Sequence, residues 1–586
     1  MPSVWHVIRN VTGITAAIDP IRQVGNSQYG TLDMPEFPTC LTNNPMPDGF
    51  PWGSRDCSSD PADIPNTGVT RHYDFTIARA VVAPDGIDRD AILVNGQFPG
   101  PTIEANWGDW IEVVVHNDIT GPEEGTSVHW HGMLQKDTPW YDGVPSIGQC
   151  PIAPGSSFTY RFRADLYGTS WWHSHYSAQY NGGVQGPIVI YGPSQEDYDI
   201  DIGPVVLTDW YHEPYFEIVQ DVVGTDLSKL PPKSDNNLIN GRNTFDCSSL
   251  PQNSSYSCEP ANLSKFKFKK GKTHRLRLMN TGADGVQKFS IDGHTMKVIA
   301  HDFVPLEPYE TDVVTLGVAQ RTDVLVEANA ESDAAVWMRA TLLPGTNDAC
   351  GGTEHGQAVA AIYYDDADVD SVPTTRSSVT LDRCTNDPLT QTVPVFPMTP
   401  SEPSFTQFIT VNQTINETGH PEWQMNNVAY HANFNHPVLF LAAEGNFSYP
   451  EEWNAYNYGS NSSVRFVLEN LTPFVHPFHL HGHDFYVLAE GEGSYPGSVP
   501  ENSNPTRRDT HILPASGYMV MQIEANNPGA WPFHCHVAWH LSGGLSMTVI
   551  TQPDQINPIP DIMPQTCADW EIYSANNVVD QIDGGS

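Results

Sequence analysis

The sequence predicts an all-β protein built from three similar β-domains, and three observations carry that prediction. The chain has 586 residues, too many for one hydrophobic core and enough for roughly three to five domains. It holds 49 Pro and 46 Gly with 39% hydrophobic residues, a mix suited to many short strands joined by turns. One phrase recurs three times: an Asn-Gly or Asn-Asn turn, then a β-branched strand ending on Asn.

The first copy of the phrase runs from Ile92 to Gly96 and again from Trp110 to Asn117. The second runs from Leu238 to Gly241 and His274 to Asn280, and the third from Trp423 to Asn427 and Ser463 to Asn470. Spacings of roughly 150 to 190 residues mark repeated domains. Within the third copy Val464, Phe466 and Leu468 alternate with Arg465, Val467 and Glu469, which predicts a half-buried strand. Domains are expected at 70–195, 196–370 and 406–555, with an N-terminal extension over 1–69, a linker over 371–405 and a tail over 556–586. Few and short helices are expected.

Charge narrows the function. With 69 acidic against 28 basic residues the net charge is −41, and nucleic acid is not expected as a partner because phosphates need a dense positive face. No apolar run is long enough to span a bilayer, so no membrane partner is expected. Residues 1–21 are only patchily apolar and are interrupted by Arg9, so no secretory leader is read there. Two other features point to secretion. Glycosylation sequons stand at Asn10, Asn253, Asn262, Asn412, Asn416, Asn446, Asn461 and Asn470. The nine cysteines become eight, enough for four disulfides, once Cys535 is set aside between two histidines.

The histidines carry the chemistry. Four His-x-His pairs occur: His129/His131, His173/His175, His479/His481 and His534/His536. Residues two apart on a strand share a face, so each pair presents two imidazoles side by side. One pair alone is ordinary surface; four, placed in the first and third repeats, offer eight nitrogen ligands. On a strand Cys535 faces away from His534 and His536, so its thiolate can bind one metal while its neighbours bind others. His476 and His540 complete a two-His, one-Cys set, which suits redox-cycling copper. Zinc, the alternative metal, has no redox chemistry and gains nothing from that wiring.

The runs His129 to Gly132, Trp172 to His175, His476 to His483 and His534 to His540 resemble the four copper signatures of multicopper oxidases. Gln149 to Ile152 and Ala319 to Arg321 look like the ascomycete laccases among them. The resemblance implies three cupredoxin-like Greek-key barrels, four copper ions (one type 1, one type 2, two type 3), and oxidation of small phenols by dioxygen in a secreted monomer. Carried over by motif, His476, Cys535 and His540 hold type 1 copper and His129 and His479 type 2. His131, His173, His175, His481, His534 and His536 hold the type 3 pair. Leu545 takes the non-coordinating axial position, where an ascorbate oxidase carries Met. Asp142 matches an acid that serves proton delivery, with a plain turn aspartate as its rival reading. Glu259 is the expected carboxylate beside the phenol. His483, His116, His301 and His511 are read as structural or surface residues. The resemblance also implies bridges Cys150–Cys567, Cys350–Cys384 and Cys40–Cys57, with Cys247–Cys258 as an added loop. A pigment or secondary-metabolite phenol oxidase shares every one of these motifs. A copper carrier without turnover is the reading from a different class, and it needs only the type 1 set.

Overall fold

A computed structural model describes residues 27–250, 254–343, 350–381, 384–577 and 582–584. The sequons at Asn10 and Asn253 and the segment 1–21 lie outside them. Three units follow one another, each of two facing sheets. In the first, strands Arg89–Val94, Thr70–Val82, Trp110–Asn117 and Ser157–Arg163 form one sheet in that order. Ile103–Asn106, Gln185–Tyr191, Gly168–His173 and His129–Trp130 form the other. The second and third units repeat the plan with six- and five-stranded sheets.

The recurring phrase is the shared hardware of this plan. In each unit the strand before the Asn turn pairs antiparallel with the turn strand and parallel with the strand that ends on Asn: Thr70 sits beside Trp110, His274 beside Ile200 and Phe405 beside Val464. Asn95, Asn240 and Asn426 adopt the left-handed backbone that tight hairpins demand. Their side-chain Oδ1 atoms accept from the backbone N–H of Thr76, Val206 and Thr410. The closing asparagines do one job three times: Nδ2 of Asn117, Asn280 and Asn470 each donates to two backbone carbonyls while Oδ1 accepts the N–H two residues on. Asn470 is therefore buried and its amide is spent, which removes it from the candidate glycan sites.

Trp110–Asn117 shows the expected alternation of buried and half-buried residues. Ser463–Asn470 departs from it at Val467, which is buried in a second apolar cluster with Tyr486, Leu488 and Val520, so both faces of that strand are covered. One large core runs through the first and third units, and the middle unit has its own. The longest helix among the described residues, Ile562–Asn576, is tied back by the Cys150–Cys567 disulfide. Among the described residues no helix is long and apolar enough to cross a membrane.

Disulfides Cys247–Cys258 and Cys350–Cys384 form as expected, but the expected Cys40–Cys57 bridge does not. Both thiols are buried and free, and Cys57 Sγ donates to the Pro193 carbonyl instead.

Candidate metal centre

All four His-x-His pairs fall where the second sheets of the first and third units end against each other. His129 pairs across the strands with His173, and His479 with His534, so neighbouring strands carry histidines on one face. His131 then stacks on His479, and His129 lies tilted against His481, each pair with ring centroids 3.9 Å apart. The result is three compact all-histidine groups: His129, His131 and His479; His131, His173 and His536; His175, His481 and His534. Every one of these rings is buried.

The nitrogens fit a metal. Nε2 of His129, His173 and His479, Nδ1 of His131 and His175, and both nitrogens of His536 are buried without a hydrogen-bond partner. Such bare atoms cost roughly 1–3 kcal/mol each. Nε2 of His481 and His534 face each other at 3.1 Å although each ring donates through Nδ1, so two lone pairs are opposed. A cation between them relieves this. Burial holds the imidazoles of His131, His173, His175, His479, His481 and His536 well below the usual range and that of His534 at about 4, which keeps them neutral.

Cys535 points the other way. Its Sγ lies 3.6 Å from Nδ1 of both His476 and His540, and those two nitrogens are 3.1 Å apart. Burial drives the thiol up and the His476 ring down to about 3. Thr472 Oγ1 holds His476 Nε2 at 2.9 Å, leaving Nδ1 for the metal side. Leu545 is fully buried in the same core, and its carbonyl accepts the Cys535 N–H. Leucine has no donor atom.

His540 opens on a cavity of about 450 Å³ walled by Trp423, Phe474, Trp539, Ile415 and Leu230. The carboxylate lining it is Asp284, not Glu259. Glu259 sits in another cavity beside Arg242, with its N–H bonded to the Gly86 carbonyl. Glu259 directly follows the loop closed by Cys247–Cys258 and lines a cavity that does not include His540, so its expected role does not follow from where it lies. A signal for Asp284 existed: it follows Asn280 as Phe474 follows Asn470, and both loops reach the cavity.

Asp142 bridges two histidines. Oδ2 accepts from His481 Nδ1 and the carbonyl from His129 Nδ1, each at 2.8 Å. Gly143 follows because a side chain there would strike the Val128 carbonyl and φ is +89°. His483 is buried but turned aside, with Nδ1 on the His481 carbonyl. Sequence reasoning missed Asp509, whose Oδ1 lies 3.0 Å from His131 Nε2 and whose carbonyl accepts His479 Nδ1 at 2.8 Å.

Family models described as multicopper oxidase match residues 76–195, 201–367 and 412–555. The chain is 37% identical to Laccase-2 of Botryotinia fuckeliana, covering 91% of this chain and 92% of that protein. It is 36% identical to Laccase-1 of Botryotinia fuckeliana, over 91% and 92% of the two chains. The solved structure of the laccase from Botrytis aclada superposes with a TM-score of 0.85 at 36% identity, covering 91% of this chain and 98% of that one.

Proposed function

Because this chain belongs to the multicopper oxidase family, in its fungal laccase-type branch of cupredoxin-like domains, and binds copper, we propose that it oxidises phenolic donors at the His540 cavity and reduces dioxygen at the histidine cluster. The observation that carries this reading is the tripeptide His534-Cys535-His536, whose thiol faces one site and whose imidazoles face the other. In this reading His476, Cys535 and His540 hold one copper, His129 and His479 a second, and His131, His173, His175, His481, His534 and His536 a pair. Bound copper supplies one-electron chemistry at both sites.

The chain's own residues do the rest. Trp423, Phe474 and Trp539 bind an aromatic ring against His540. Asp284 lies in the same cavity to accept the phenolic proton as the electron leaves. Asp142 orients His481 and His129 and serves proton delivery on the cluster side. Leu545, buried in the same core as Cys535, brings no donor atom and would keep water from the thiolate site. The domain limits 70–195, 196–370 and 406–555 belong to this reading, as does secretion, which the disulfides Cys150–Cys567, Cys247–Cys258 and Cys350–Cys384 favour.

A cavity of this volume accommodates more than a single ring, which favours a multi-ring phenol of secondary metabolism as the donor. Dihydrogeodin oxidase of Aspergillus terreus is also 37% identical over 92% of this chain. The test is oxygen uptake by the copper-loaded protein with mono- and multi-ring phenols, beside Cys535→Ser and Asp284→Asn, read with the blue absorption. Colour and uptake both lost in Cys535→Ser are expected, with Asp284→Asn keeping the colour and losing kcat/KM. Colour without uptake in the parent protein demotes it to a copper carrier, and equal rates on all phenols refute the multi-ring preference.

A further inference from the structure

A neutral imidazole carries one proton, so a ring nitrogen that donates leaves the other as the metal-facing lone pair. His129, His173, His479 and His534 donate Nδ1 to backbone carbonyls at 2.8–2.9 Å, and His481 donates Nδ1 to Asp142. These five therefore present Nε2. His131 is reversed. Its Nε2 meets Asp509 Oδ1 at 3.0 Å, and its bare buried atom is Nδ1.

Asp509 is itself held from the middle unit, which supplies none of the metal-site histidines. Arg321 Nη1 and Nη2 donate to its two carboxylate oxygens at 2.7 and 2.6 Å, a fork geometry that fixes direction as well as charge. A second pair crosses the first in the opposite sense: Arg508 donates to both oxygens of Asp302 at 3.0 and 2.9 Å, and Asp302 Oδ1 accepts the Arg321 backbone N–H. Arg321 Nε also bonds the Thr169 carbonyl in the first unit. Gly132, one residue after His131, leaves the space: a Cβ there would stand 2.5 Å from Asp509 Oδ2 and 2.7 Å from Arg321 Nη2.

The geometry points to Arg321 and Asp509 as positioning residues that select Nδ1 as the metal-facing nitrogen of His131, so that the middle unit sets one ligand of the cluster. This rests on the ligand reading above. The reversal of His131 follows from which acceptor its ring meets, and the arginine keeps that acceptor in place.

The test compares Arg321→Met, Arg321→Lys, Asp509→Asn and Gly132→Ala with the parent chain, each reconstituted with copper. Expected is a loss of about 10–100-fold in copper affinity at the cluster, the usual cost of removing such a support. The paramagnetic signature of the histidine-bound copper changes, while the blue absorption of the thiolate site keeps its intensity. Arg321→Lys, which keeps the charge without the fork, recovers part of the affinity. In the copper-free chain, histidine nitrogen resonance shows His131 protonated at Nε2 in the parent and not in Asp509→Asn. Gly132→Ala retains all four charges and decides the matter if the arginine variants do not fold. Unchanged cluster copper in the variants overturns the clamp. So does equal loss at both sites, which marks a merely structural contact. A parent chain that binds no copper at the cluster overturns the ligand reading instead.

Discussion

Asp165 is fully buried, one carboxylate oxygen has no partner, and burial raises its acid from the ordinary 3.8 to about 6. An acid whose folded value is raised binds its proton more tightly in the folded chain. Its contribution is fully present below about pH 4 and is lost as pH rises through about 6, on the order of 3 kcal/mol in all. Urea midpoints measured across that window are expected to fall with rising pH, and Asp165→Asn is expected to flatten the slope; an unaltered slope in the variant refutes the assignment. The same scale separates what was legible from what was not. The clustered histidines announce themselves by spacing two apart, because strand geometry puts such neighbours on one face. Asp509 does not, since its partner His131 is 378 positions away and nothing local marks a carboxylate between Arg508 and Thr510. Glu259, expected beside the phenol, lines a different cavity from His540, and local spacing could not show which side of the fold it faces.

At the scale of elements, the turn asparagines and the strands that end on Asn were readable because each copy repeats the same hydrogen bonds. Val467 was not: alternation describes one sheet face and is silent about Met398 and Tyr495 covering the other. The helix Ile562–Asn576 depends on a long-range tie. Cys150 and Cys567 are separated by 417 positions, and Trp570 packs among Tyr176 and Phe434 beside it. Replacing both cysteines by alanine is expected to cost about 2–5 kcal/mol and to raise amide exchange in 562–576 first. Exchange rising equally throughout the chain excludes a local tie.

At the scale of the whole molecule, the first and third units supply the histidines and the middle unit braces them through crossed Arg–Asp pairs. Copper bound between two units stabilises their association, by about 4 kcal/mol for an ion present at a thousandfold its Kd. Stripping the copper with a chelator is expected to lower Tm and to part the first unit from the third, seen as a split calorimetric transition. A copper-free protein that melts as one transition at the parental Tm contradicts that coupling.

The repeated asparagine turns have a consequence for chemical ageing. Asn95-Gly96 and Asn240-Gly241 are the dipeptides in which a backbone nitrogen most readily attacks the side-chain amide, releasing ammonia and leaving an isoaspartate kink in the chain. Here each asparagine amide is tied at both ends, Asn95 to Thr76 and Asp74 and Asn240 to Val206 and Pro204. The bonds that set the hairpin also hold the amide away from that attack, so the folded protein guards its own most perishable linkages for as long as it stays folded.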